Sequence, residues 1–115
     1  MDRNNMDFET LRRFMTDAFT AIGVPADEAA IVADVLVESD KRGINSHGVN
    51  RFKPVYIDRI NAGIQFAKTN FEIVKETETT AVVDGHHGMG QVIGQRSMQM
   101  AIDKAKKYGM GMVAV

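Results

Sequence analysis

TTAVVDGHHGMGQVIGQRSMQMAIDKAKKYGMGMVAV, residues 79–115, is the stretch that decides the fold. Thr80–Asp84 is rich in β-branched residues and reads as a strand. A glycine loop, GHHGMG, follows it. Residues 91–108 then show a helical period that turns Ile93, Ser97, Met100, Ala101 and Ala105 inward. Gly109 supplies the usual helix stop, and the apolar run MGMVAV opens another strand. Strand, loop, helix and strand make one right-handed crossover, the unit from which α/β sheets are built. Just upstream, FEIVKE at residues 71–76 alternates in polarity. It is expected to pair with residues 80–84 as a hairpin joined near Glu78.

Moving toward the N-terminus, helices replace strands. Asp7 can cap a helix running to about Ile22, because Phe8, Leu11, Met15, Ala18 and Ile22 recur at three and four before Gly23. Pro25 suits the first turn of a second helix, with Asp27 and Glu28 at its positive end and Lys41 and Arg42 near its close at Gly43. Its inward stripe is Ala29, Val32, Ala33 and Leu36. Residues 48–63 are helical again, with Phe52, Tyr56 and Ile60 four apart. Pro54 has no N–H to donate, so a short turn restarting there is expected. The fold class is therefore α/β, with a helical portion at 7–63 followed by a hairpin and a β-α-β unit at 70–115. A crossover pair needs further strands or a cover to hide its faces. On that ground the chain of 1–115 reads as cut short, the N-terminal portion of something larger.

Composition narrows the function classes. With 115 residues there is no room for separate cofactor and substrate domains. Lys plus Arg number 14 against 15 Asp plus Glu, and no basic run occurs, so nucleic acid is not an expected partner. Cysteine is absent, which removes disulfides and thiolate metal sites and favours a reducing compartment. The first ten residues lack the pattern of a secretory signal, and no apolar run approaches the roughly 18 to 20 residues that span a bilayer. A cytoplasmic protein without a membrane partner is expected. Met89, Met98, Met100, Met110 and Met112 cluster late and read as packing.

The glycine loop sits where backbone amides and a helix dipole can hold phosphate. Gly85, Gly88 and Gly90, however, have the reverse of the dinucleotide spacing, and no Lys followed by Ser or Thr completes a P-loop. A tight turn for close packing is the better reading. His86 and His87 are adjacent, so at a strand end they would point in opposite directions, and no metal is expected there. GINSHGVNRF, residues 43–52, holds more chemistry. His47 can give or take a proton at neutral pH, and the Ser46 hydroxyl can hold its ring in one tautomer. If Gly48 begins a helical turn, Arg51 projects on the same side as His47. A guanidinium grips a carboxylate through two parallel hydrogen bonds while the imidazole serves the oxygen on the next carbon. Two readings stand on these residues alone: a site for a 2-oxo or 2-hydroxy acid, and a capped turn with an exposed histidine.

DKRGINSHGVNRF, IDRINAG and DGHHGMGQVIGQRSMQMAIDKAKKYGMGMVAV together resemble the malate/L-lactate dehydrogenase family of nicotinamide-dependent oxidoreductases, whose fold is not the Rossmann domain. The resemblance runs from about Phe8 to Val115. Its most specific core is Asp40, Arg42, Gly43, Ser46, His47 and Gly48 in a D-x-R-G-x-x-S-H-G pattern. It implies NAD or NADP as cofactor and a 2-hydroxy or 2-oxo acid as substrate, malate before lactate, and it implies a homodimer. It further implies that His47 is the acid/base group beside the nicotinamide, that Ser46 orients it, that Arg51 binds the substrate carboxylate and that Tyr56 lines the same pocket. Arg42 or Arg59 is the expected partner for a second carboxylate. The rival reading is a non-catalytic helical interaction or dimerisation module.

Overall fold

The Asp7 carboxylate accepts the Thr10 amide at 2.8 Å and the Thr10 hydroxyl at 2.6 Å, so the first turn of helix α1 (Phe8–Ala21) begins with its free donors satisfied. Those bonds, the Thr10 hydroxyl first, hold the exposed carboxyl below its ordinary value. The computed structural model describes residues 5–115 and shows a mixed α/β fold of helices and one small sheet. The chain divides into two compact units, one up to Ala67 and one from Lys68 to Val115.

In the first unit α1 packs on α2 (Ala26–Lys41). Pro25 stands just before α2 as its cap, not inside its first turn. Ala29, Val32, Ala33 and Leu36 are buried as their spacing predicts, joined by Glu28 and Val37. The inward face of α1 differs from expectation. Met15 and Phe19 are fully buried, whereas Phe8 is exposed with the Lys41 ammonium over its ring. Phe19 takes the interior place because Phe52 and Tyr56 meet it edge-on, a contact that periodicity within α1 does not record.

After α2 come two short 3₁₀ turns, Asn45–His47 and Val49–Arg51, then a widened π-type turn, Phe52–Ile57, and helix α3 (Asp58–Asn61). The expected restart at Pro54 does not occur. Pro54 falls within the first turn of the widened segment, where a missing N–H costs little, and the Asp58 amide reaches back to the Lys53 carbonyl.

The second unit holds strands β1 (Glu72–Glu76), β2 (Thr80–Asp84) and β3 (Met112–Ala114), in that order across the sheet. β1 and β2 pair antiparallel, with Val74 an extra residue where the register shifts, and β2 and β3 pair parallel. Helix α4 (Gly90–Tyr108) connects β2 to β3 and ends at Gly109 in the left-handed region. Ala81 and Val83 of β2 are buried, as are Val92, Ile93 and Ser97 of α4. Met100, Ala101 and Ala105 are half-buried, short of the burial their spacing suggested. Of the late methionines only Met89 is fully buried; Met98 on α4, Met110 in the turn after it and Met112 at the start of β3 are exposed.

Lys104 is the departure from any apolar pattern. Its ammonium is nearly buried and donates to Glu76 at 2.8 Å and to the Thr77 carbonyl at 2.7 Å, tying α4 to the end of β1. Lys104→Met is expected to lower the unfolding free energy by about 1.5–3 kcal/mol, the worth of hydrogen bonds to a charged group. The larger cost of stranding a buried charge is not expected, since Glu76 is 49% exposed and water replaces its partner. Urea denaturation with an unchanged slope checks this.

Candidate functional site

Asp40 lies in the last turn of α2, and Gly43 follows with a positive φ of 75° that turns the chain back. The Asp40 Oδ2 accepts the Val49 amide at 2.9 Å, which closes the segment between them into a loop. Gly48 is buried beneath that carboxylate, and a Cβ at this position would overlap it outright. Its φ of −97° is one that any residue adopts, and the missing space beneath the carboxylate calls for glycine here. Further on, the Phe52 ring meets Phe19 at 5.0 Å and Phe14 at 5.8 Å, and Tyr56 meets Phe19 at 6.3 Å. The loop is thus held at both ends, by Asp40 on one side and by an aromatic cluster on the other.

Ser46 joins the two side chains that chemistry singled out. Its Oγ is 2.9 Å from His47 Nδ1, and its carbonyl accepts Arg51 Nε at 2.7 Å. When Nδ1 carries the proton and donates it to Ser46 Oγ, Nε2 presents a lone pair and can act as a base. Because Arg51 spends Nε on the carbonyl, its two terminal nitrogens have no hydrogen-bond partner among the described residues. Those are the donors that face a carboxylate end-on. Ser46, His47 and Arg51 are exposed, so an anion reaches them from solvent.

The backbone between His47 and Arg51 turns as the sequence suggested, and Ser46 is the residue that both side chains contact. Gly48 begins a short 3₁₀ turn, its carbonyl accepting the Arg51 amide at 3.0 Å, and Arg51 sends its Nε back to the Ser46 carbonyl while the Ser46 hydroxyl meets His47. Tyr56 is half-buried with its ring on Phe19, and no hydrogen bond among the described residues ties it to His47 or Arg51. Arg42 gives its Nε to Glu38 at 2.9 Å, and no hydrogen bond among the described residues joins Arg59 to Ser46. Asp40 was not singled out as a site residue. Its signal was present in the spacing to Gly48, but it becomes readable only once the carboxylate is seen in the space a side chain would occupy.

In the second unit the glycine loop serves packing. A Cβ on Gly85 would press on Ile93 at 2.5 Å, and one on Gly88 would meet Thr69 at 3.3 Å. At these two positions the protein itself fills the space, whereas Gly90 at the start of α4 is exposed with open space beside it. His86 and His87 both lie in the left-handed region, at φ of 46° and 58°, so strand-end alternation does not describe them. His86 is half-buried; its amide donates to Asp84 at 2.8 Å and its ring Nε2 bonds Glu72. Among the described residues no helix is long and apolar enough to cross a membrane.

Comparison with known proteins bears on this geometry. The sequence model of the malate/L-lactate dehydrogenase family matches residues 6–115. The L-sulfolactate dehydrogenase of Methanocaldococcus jannaschii is 44% identical over 106 residues, which cover 92% of this chain and 30% of that protein. The malate dehydrogenase of Pyrococcus abyssi is 43% identical over 107 residues, 93% of this chain and 29% of that one. Among solved structures, malate dehydrogenase from Entamoeba histolytica superimposes with a TM-score of 0.94 at 45% identity, covering 97% of this chain and 31% of that one. The chain thus spans about three-tenths of the length of these relatives.

Proposed function

The chain belongs to the malate/L-lactate dehydrogenase family, and on that premise we propose that it forms the acid/base and carboxylate-binding part of a 2-hydroxyacid dehydrogenase using NAD or NADP. The observation that carries this reading is Ser46, bonded through its hydroxyl to His47 and through its carbonyl to Arg51. One short loop therefore offers a proton acceptor and a two-pronged anion donor together, the pair that a hydroxyl next to a carboxylate requires. In the oxidising direction His47 takes the hydroxyl proton at Nε2; in the reducing direction it returns that proton to the carbonyl oxygen. Ser46 holds the ring in the tautomer that allows this. Arg51 binds the carboxylate and so fixes the reacting carbon beside the imidazole.

The exposed imidazole fits a place beside a nicotinamide, and Gly85 and Gly88 are already packed against the protein's own side chains. When bound, NAD or NADP supplies the hydride acceptor. Malate is the preferred substrate over lactate. Relatives are named for malate and sulfolactate, and both acids carry a second anionic group that lactate lacks.

Arg51→Lys tests the assignment. In the intact polypeptide that carries this chain, the KM for malate is expected to rise about tenfold, equivalent to about 1.4 kcal/mol, with a smaller change in kcat, because a lysine cannot make the two parallel bonds. A KM equal to that of the unaltered protein would remove Arg51 from the substrate.

A further inference from the structure

A proton-transfer group acts only from a fixed position, and the loop that carries His47 has little to fix it internally. Its turns are short 3₁₀ turns, its residues are mostly exposed, and Gly43 and Gly48 punctuate it. What fixes it from outside is Asp40. An acidic residue in the last turn of a helix is unfavourable for that helix, since the carboxylate sits at the negative end of the dipole. Helix α2 therefore has no use of its own for a carboxylate here. The structure shows where that carboxylate is used: Oδ2 takes the Val49 amide at 2.9 Å, and the group fills the space against Gly48. Ser46, His47 and Arg51 all hang on the turn so formed, and Leu36 and Val37, one turn before Asp40 on α2, are buried in the core.

We propose that Asp40 is a positioning residue for the hydroxyacid site, holding the turn whose Ser46 carries both His47 and Arg51. The inference rests on the reading of His47 and Arg51 given above. Asp40 makes no contact with substrate in this role. What it supplies is an acceptor of the right length and shape, and not its charge.

The experiment uses the intact polypeptide that carries this chain, with Asp40→Ala, Asp40→Asn, Asp40→Glu and His47→Ala. NMR reads the exchange rate of the Arg51 Nε–H and the ring ¹⁵N shifts of His47; absorbance at the nicotinamide band reads turnover of malate. With Asp40→Ala the Arg51 Nε–H is expected to exchange about tenfold faster or more and kcat/KM to fall about 10²-fold, as a misplacement of roughly 1 Å produces. Asp40→Glu keeps the charge but overfills the space; it is expected to show the same losses as the alanine variant and takes that variant's place if alanine fails to fold. Asp40→Asn keeps an acceptor of the same length and is expected to stay within about threefold of the parent on both readouts. Asn as impaired as Ala would overturn the proposal, because an uncharged acceptor of the same length would then not suffice. Unchanged Arg51 and His47 signals in the Ala or Glu variant would overturn it as well, whatever turnover does. Normal turnover by His47→Ala would sink the dehydrogenase reading instead, while the NMR arm would still decide the role of Asp40.

Discussion

His47→Ala is expected to reduce turnover of malate by about 10²- to 10⁴-fold, the range that a missing general acid/base commands. The size follows from what remains. Removing the imidazole leaves the Ser46 carbonyl bond to Arg51 untouched, because that bond is made by the main chain. Carboxylate binding should therefore persist, and the loss should fall on kcat with KM little changed. Ser46→Ala, which removes only the hydroxyl bond to Nδ1, should cost less, since the ring loses its preferred tautomer but keeps its proton chemistry. Following NAD(P)H absorbance at saturating malate in the intact polypeptide separates the two. Turnover of His47→Ala equal to the parent would leave the loop as a capped turn and return weight to a non-catalytic interaction module.

Gly48→Ala carries the second large effect, and its origin is steric. The φ of Gly48 is not left-handed, but the new methyl would stand where the Asp40 carboxylate stands. Either Asp40 swings away and releases the Val49 amide, or the turn carrying His47 shifts. Overfilling of this kind costs about 1–3 kcal/mol of unfolding free energy. A displaced turn costs activity too, about 10²-fold for a shift on the order of 1 Å. A double-mutant cycle isolates the cause. In an Asp40→Ala background the obstructing carboxylate is gone, so Gly48→Ala should add less than about 0.5 kcal/mol, the limit within which independent sites are additive. If the two penalties instead add in full by urea denaturation, the clash is not what makes Gly48 necessary.

The parts of this protein that were legible in its sequence are those governed by neighbours in the chain. Asp7 caps α1 because its oxygen reaches an amide three residues on, and Gly109 ends α4 because it enters the left-handed region without a Cβ. The hairpin and the parallel return of β3 follow from alternation, apolar runs and the length of the connecting helix. His47, Ser46 and Arg51 stood out by residue type, since an imidazole, a hydroxyl and a guanidinium within six positions are a small set of chemical options.

What only the tertiary structure decided is which distant groups meet. Periodicity placed Phe8 on the inner face of α1; the rings of Phe52 and Tyr56 made it Phe19. Nothing local marks Lys104 for burial, because its partners Glu76 and Thr77 lie more than 25 positions earlier. Asp40 gains its role only when Val49 and Gly48 fold back onto it, and His47 and Arg51 share an anchor because both bond Ser46, one at its hydroxyl and the other at its carbonyl. Local spacing is written in the order of residues, since helix and strand repeat over a few positions. A contact made when the chain returns upon itself depends on packing and excluded volume, and those exist only once the chain has folded.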